Sequence, residues 1–379
     1  MEFSLRSLIL SATFVLWSLH SFYSYAYGLP LLATLAGLFI FILSLPQYLN
    51  THGFSVNKLQ MTLILFYVSI LFWSLLDLFV IQDLPNIKRI LFFLLSILFI
   101  LAAGFIVKTV GLKRLLTFHL MLHSLFFFVQ FLSFYVFNKY IDFIEPFNGM
   151  PQSVFGGSFS FSFMPNFMRA AGLYNEPGTY SNFIAPLLMV YSQFYHEKGI
   201  ARVVFWMSIT SLFFSFSTFG AVFATLIVLF STSLSKLNKI FLVLLGSLVT
   251  IPYFIYRFIN RSIAGYETGT GIRETFIRDI FEYITSSVHG VFFGSGNMIS
   301  LEYYIKYTMP DNDAGLITYL VHSTGPLFTI FLIIFLIWRS YPLNIHSTIA
   351  FLILMLGKVS LFSPFAPPLL YIIFYKNKK

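Results

Sequence analysis

The 379-residue chain is 58% hydrophobic and only 10% charged, with Phe alone contributing 50 residues, a balance outside the soluble range. A helix needs about 20 apolar residues to cross a bilayer of roughly 30 Å, and such stretches recur, so the sequence predicts one polytopic all-α membrane domain rather than two soluble ones. Zero cysteines exclude disulfides and thiolate metal sites, and the net charge of +9 fits loop lysines and arginines facing anionic lipid rather than nucleic acid.

About twelve spans can be drawn from the hydrophobic runs. In chain order they fall near Leu5–Tyr25, Leu29–Leu49, Leu59–Val80, Ile90–Val107, Leu115–Phe137 and Thr179–Tyr195. Six more follow near Val203–Ser217, Ala221–Leu234, Ile240–Tyr256, Ala314–Trp338, Thr348–Phe362 and Pro367–Tyr375. The first run lacks a small-residue cleavage site and is followed by more spans, so it is read as a retained helix, not a signal peptide. Pro186, Pro252 and Pro326 are expected as kinks within spans. The seventh and eighth spans read as a hairpin turned at Thr218–Gly220.

Charge sets the orientation. With the N-terminus in the cytoplasm, the inside loops collect Arg6, Lys58, Lys108, Lys113, Arg114, Lys198, Arg202, Lys236, Lys239, Arg339 and the terminal lysines, against Glu2 and Glu197 alone. Short basic loops stay inside, so both termini are expected there. Two long hydrophilic segments, about 138–178 and about 258–312, then fall outside; they hold Arg169, Arg261, Arg273 and Arg278, with Arg257 at the edge of the second.

Three stretches can carry chemistry. In "RAAGLYNEPGTYSNF" (Arg169–Phe183) a Glu-Pro-Gly turn starts a helix, with Thr179 as a candidate cap. A helix N-terminus beside an arginine suits a phosphate. The alternative is that Arg169 and Glu176 pair with each other on a solvated loop. In "GIRETFIRDIFEY" (Gly271–Tyr283), Ile272, Phe276, Ile280 and Tyr283 recur at helical spacing with Arg273, Arg278 and Asp279 off that face. That pattern predicts an amphipathic interfacial helix, followed by a flexible turn at Gly294–Gly296. In "MPDNDAGLITYLVHSTG" (Met309–Gly325), Asp311 and Asp313 form an Asp-x-Asp pair and His322 follows within the span. Those carboxylates suit acid–base or substrate-binding work, a hard cation, or plain helix capping. His322 reads as a helix–helix hydrogen bonder or a substrate contact. Asp77 and Lys358 are intramembrane charges that need partners or water, and each is a candidate partner for the other. No H-E-x-x-H, G-x-S-x-G or Walker sequence is present.

Taken in order, these stretches resemble the Wzy-type O-antigen polymerases, within the wider group that includes the O-antigen ligases. "RAAGLYNEPGTYSNF" is similar to that family's R-x-x-G-hydrophobic-x-E-P stretch entering a helix, and "FSFSTFGAVFATLIVLF" (Phe214–Phe230) to its Ser/Thr/Gly-containing span. "GIRETFIRDIFEY…GVFFGSGN" resembles its external helix running to a G-x-G turn, and "DNDAGLITYLVHSTGPL" its closing D-x-G helix. The resemblance covers about the C-terminal half of the chain. It implies a GT-C-like membrane glycosyltransferase in the bacterial inner membrane, with its site facing the periplasm. It further implies transfer of a growing glycan from undecaprenyl pyrophosphate to the next lipid-linked repeat unit, with no cofactor or metal and with a chain-length regulator as a candidate partner. Arg169, Arg273, Arg278, Arg261 and His322 would bind pyrophosphate or glycan, and Glu176, Asp313 or Asp311 would serve as base. Ligases carry His-Asn where Asp313 stands, which favours polymerase over ligase and leaves the base open. A flippase or other transporter is the remaining alternative, although transporters place their ionisable groups near the midplane.

Overall fold

A computed structural model describes residues 4–19, 39, 42–43, 46, 56–149, 151–154, 168–195, 199–231, 235–263, 269–294, 298–302, 315–341 and 343–376. At 148, 245, 249–250, 252–254, 256–263 and 269–276 the backbone alone is described. Among the described residues the named secondary-structure elements are all helices, joined by turns and loops, with an isolated antiparallel bridge between Pro85 and Ser300. Two compact units form. Unit 1 takes Met1–Gln47, Phe105–Tyr266 and Asn344–Ile353; unit 2 takes Tyr48–Gly104, Glu267–Leu343 and Leu354–Lys379.

In chain order the helices are α1 Leu5–Ser18, α2 Lys58–Ile81, α3 Ile87–Val110, α4 Leu112–Tyr135, α5 Glu145–Asn148, α6 Pro177–Tyr191 and α7 Ile200–Phe214. They continue as α8 Thr218–Phe230, α9 Lys236–Ile263, α10 Gly269–Ser286, α11 Val288–Phe293 and α12 Leu316–Thr324. The last three are α13 Pro326–Ser340, α14 Ile345–Leu356 and α15 Ala366–Phe374. Helices α2, α3 and α4 are each long and apolar enough to cross a membrane, and α1, α7, α8, α13 and α14 are shorter apolar helices. The chain is an all-α protein of membrane character.

Local chemistry sets the helix ends. Before α2, Asn57 Oδ1 accepts from Gln60 N at 2.8 Å while Gln60 Oε1 accepts from Asn57 N at 3.0 Å, a reciprocal capping box. In unit 1, α6 lies at the centre: every residue of it except Gly178 is buried, as expected for a helix apolar on all faces. It packs against α4, α7 and α8, and α1 packs on α4. Lipid is as apolar as leucine, so helices there are held by close packing and interhelical hydrogen bonds. Gly220 of α8 lets the helices meet; a Cβ there would lie 2.5 Å from Leu212 O and 2.8 Å from Ser181 Oγ.

In unit 2, α2 packs on α12, α13 and α15, and α11 on α10, α12 and α13. The segment at 298–301 is lashed to 84–89 by Asn86 N→Ile299 O (2.7 Å), Leu301 N→Leu84 O (2.9 Å) and Arg89 Nη1→Met298 O (2.6 Å). Two motif glycines interlock. A side chain on Gly294 would strike the His322 carbonyl, and one on Gly325 would strike the Phe292 carbonyl. Gly294 is thus a packed contact, not a flexible turn; Ser295 and Gly296 lie outside the described residues.

Several expectations are corrected. The expected span Ala314–Trp338 is two helices, α12 and α13, broken at Gly325, so Pro326 begins a helix instead of kinking one. Proline is suited to that first position, where its missing N–H is no loss. The turn between α7 and α8 spans Ser215–Ser217, with Thr218 already helical. Among the described side chains of α10, Ile280 is buried as expected and Ile284 is buried with it, whereas Tyr283 is 44% exposed; the side chains of Ile272 and Phe276 lie outside the described residues. Of the expected span Leu29–Leu49, only residues 39, 42, 43 and 46 are described, and they are helical.

Candidate functional site

The turn that carries Arg169 and Glu176 is built from unit 1 residues the hydrophobic pattern does not single out. Gly172 has φ +58°, and a Cβ there would sit 3.1 Å from Phe127 N, so only glycine lets the turn lie on the backbone of α4. Gln130, a buried amide in α4, accepts from Ala171 N (2.8 Å) and Gly172 N (3.0 Å) through Oε1. Its Nε2 donates to Ile141 O (2.9 Å) and Gln152 Oε1 (2.6 Å). Gln152 Nε2 in turn donates to Gly172 O (2.7 Å) and Tyr174 O (2.6 Å). The turn's ends are fixed by Arg169 N→Val154 O (2.9 Å), Ser153 N→Asn175 O (2.7 Å) and Tyr135 Oη→Met168 O (2.6 Å).

Asp142 anchors the other side of this knot. Its carboxylate accepts from Gln152 N (2.7 Å), Ile144 N (2.8 Å), Glu145 N (2.9 Å) and Tyr140 Oη (2.9 Å). Burial pushes the Asp142 pKa up, but the hydrogen bonds from Glu145, Gln152, Ile144 and Tyr140 outweigh it and hold the group below its ordinary value.

Glu176 occupies the N-cap of α6 in extended backbone (φ −146°), with Pro177 at the first position and no side-chain cap bond. Thr179, expected as the cap, is inside the helix, and its Oγ1 donates to Glu176 Oε1 at 3.1 Å. The first N–H groups of α6 are therefore left without a side-chain cap, where the helix dipole favours negative charge. Arg169 is partly buried, and its Nε is buried with no hydrogen-bond partner among the described residues.

Beneath the turn runs a seam of buried polar groups. Tyr180 Oη meets Ser211 Oγ at 2.5 Å, Ser124 Oγ meets Ser208 Oγ at 2.9 Å, and Ser181 Oγ meets Ser215 Oγ at 3.3 Å. His123 Nε2 meets Ser18 Oγ at 3.0 Å, and Nδ1 has no hydrogen-bond partner among the described residues. Asn182 is fully buried, and neither its Nδ2 nor its Oδ1 has a hydrogen-bond partner among the described residues. Each orphaned group of this kind costs about 1–3 kcal/mol, so its presence in a core calls for a cause.

The other expected site residues belong to unit 2, except Arg261, and each is placed within its own unit. Arg278 is exposed on α10, and His322 is buried on α12. Arg273 lies in α10 and Arg261 near the end of α9, with side chains outside the described residues. Asp311 and Asp313 lie outside the described residues altogether. Asp77 does not pair with Lys358: its Oδ1 takes His289 Nε2 at 3.0 Å. The structure thus brings Arg169 and Glu176 onto one pinned turn. It adds Gln130, Gln152, Asp142, Asn182 and His289 to the residues of interest. Their one signal in the sequence was a polar side chain inside or beside an apolar run, as with Gln130 in "FFFVQFLSFY".

No family model, curated protein or solved structure matches this chain.

Proposed function

We propose that the chain is a Wzy-type surface-polysaccharide polymerase, a GT-C-like membrane glycosyltransferase of about twelve spans. On this reading it transfers a growing glycan from undecaprenyl pyrophosphate to the next lipid-linked repeat unit at the periplasmic face of the bacterial inner membrane. The observation that carries the reading is the pinned Arg169–Glu176 turn, whose backbone is held by Gln130 and Gln152 and which leads into the uncapped start of α6.

A departing pyrophosphate gains negative charge as the glycosidic bond breaks. Fixed donors aimed at that charge in a water-poor setting lower the barrier more than mobile ones would. The Arg169 guanidinium and the first N–H groups of α6 are such donors, and their positions are set in advance by the amide knot. Glu176 supplies an acceptor for a sugar hydroxyl. The test is complementation of a polymerase-null strain by Glu176→Gln, with protein level checked by immunoblot. Transfer is expected to drop roughly 100-fold or more at unchanged protein level. Normal polymer from the well-expressed variant would leave Glu176 structural and remove the main support for this reading.

A further inference from the structure

Gly178, in the first turn of α6, is the one residue of that helix that is not buried, and the fold gives no reason for a glycine there. Its backbone is not in the left-handed region. Among the described residues, the atoms nearest to a Cβ built on it are Glu176 Oε1 (3.3 Å), Glu176 Cδ (3.7 Å) and Ser217 Oγ (3.9 Å). An alanine would need only a few tenths of an ångström of movement from the end of one carboxylate. Gly220 is the contrast, since a Cβ there would strike a backbone carbonyl. Glycine is also the poorer helix former of the two. What the missing methyl leaves is a notch over the start of α6, reached past the partly exposed Gly178 and Glu176.

Its walls are a hydroxyl and a carboxylate, brought together within unit 1 by the packing of α6 on α8. Ser217 is the N-cap of α8 in extended backbone, where a serine commonly accepts from its own helix's first turn. It makes no such bond. Although only 4% exposed, its Oγ has no hydrogen-bond partner among the described residues; the backbone N of Ser217 donates to Ser215 Oγ at 3.3 Å. The side chain is turned to the first turn of α6 instead. Opposite it, Thr179 Oγ1 donates to Glu176 Oε1 at 3.1 Å and orients the carboxylate, whose lone pairs suffice for several donors. A bound hydroxyl needs this combination, an acceptor for its proton and a donor for its oxygen.

We propose that the notch over Gly178 seats the acceptor sugar hydroxyl, with Ser217 Oγ donating to the hydroxyl oxygen and Glu176 Oε1 taking its proton. That the hydroxyl belongs to a lipid-linked repeat unit rests on the polymerase reading. In the step, the hydroxyl oxygen bonds to the anomeric carbon of the donor glycan and its proton passes to Glu176. The bond from that carbon to the pyrophosphate oxygen breaks, and its electron pair leaves with the pyrophosphate. Glu176 then releases the proton to water. Ser217 holds the attacking oxygen, and Gly178 keeps the seat empty of protein.

The test uses purified full-length protein in nanodiscs with undecaprenyl-pyrophosphate-linked repeat units. Gly178→Ala fills the seat, and kcat/KM is expected to fall about 10-fold or more while the melting temperature stays level or rises. Ser217→Ala removes a hydroxyl that the fold does not use, and kcat/KM is expected to fall about 10-fold, as for one lost hydrogen bond. Because both changes act on one bound hydroxyl, the double variant is expected to lose no more than the worse single one. A Gly178→Ala rate within a few-fold of wild type overturns the seat. A lowered melting temperature does so too, since it would make Gly178 a packing glycine, and fully additive losses would separate Ser217 from it.

If wild-type protein makes no polymer, the polymerase reading falls and the notch is decided by thiol labelling. The chain has no cysteine, so Ser217→Cys introduces the sole thiol. A small methanethiosulfonate reagent is expected to modify it, and several-fold more slowly once Gly178→Ala is added. No reaction, or equal rates with and without the added methyl, overturns the proposal.

Discussion

Gln130 Nε2 donates to Gln152 Oε1 over 2.6 Å, and through that contact two buried amides act as one clamp on the Ala171–Tyr174 backbone. Each amide spends both its oxygen and its nitrogen there. The clamp joins an apolar helix, α4, to a polar turn that would otherwise have no reason to hold one shape. Arg169 and Glu176 sit at the two ends of that turn, so their separation is inherited from the clamp.

Replacing either clamp residue by leucine should therefore act at a distance. Gln130→Leu orphans the N–H groups of Ala171 and Gly172, and Gln152→Leu orphans the carbonyls of Gly172 and Tyr174. About 1–3 kcal/mol of stability is expected to be lost in each case. Transfer should fall although neither residue belongs to the proposed substrate contacts. Thermal unfolding in detergent and polymer yield per molecule measure the two effects; unchanged yield would show that the clamp does not position the turn.

Gly172→Ala should be worse than its size suggests. The backbone at φ +58° disfavours a side chain, and the added Cβ would press on Phe127 N at 3.1 Å. A cost of about 1–3 kcal/mol is expected from strain alone. Gly111→Ala shares a positive φ, but nothing lies within 4 Å of its Cβ position. It should cost less, and the difference between the two melting temperatures isolates the contact with α4.

Hydropathy located α2, α3 and α4 to within about three residues, because runs of Phe, Leu and Ile leave few alternatives to a long helix. It could not see the break at Gly325. Gly325-Pro326 reads equally as a kink within one span, and the positive φ of Gly325 and its packing against the Phe292 carbonyl are what make it a boundary. The Arg169–Glu176 stretch was visible as a polar interruption. Its clamp was not, because Gln130 and Gln152 are joined to it by tertiary contacts across sequence distances that no local pattern encodes. Asp77 was recognised as needing a partner or water, and Lys358 was the candidate on charge, whereas the fold supplies His289. Histidine carries no fixed charge in the sequence to search for.

The knot around Asp142 should loosen in acid. Its folded pKa is depressed by four donors, so its contribution to stability is present above the ordinary carboxylate range, near 3.9, and is lost as pH falls through the folded value. Exchange of the Ile144, Glu145 and Gln152 amides should therefore accelerate in that window, beyond the intrinsic pH trend. In Asp142→Asn the step should vanish, since the amide oxygen does not titrate. The same step in the variant would assign it to another group.

Arg169 offers the sharpest separation of stability from function. Its Nε is buried without a hydrogen-bond partner among the described residues, an arrangement that costs folding free energy, about 1–3 kcal/mol. A residue selected for the fold alone would not keep that orphan, whereas a binding site commonly gives up stability for function. Arg169→Lys removes the orphaned Nε and keeps a positive charge. If the guanidinium only braces the turn, the variant should be no less active than wild type. If it presents paired donors to a pyrophosphate, lysine cannot match that geometry. Transfer should then fall about 10²-fold or more, in line with the loss of one oriented donor. Unfolding temperature should stay level or rise. Polymer ladders from the complemented strain, read beside the melting curve of the purified variant, decide it: an active Arg169→Lys protein of reduced stability is the result that would sink the phosphate-binding role.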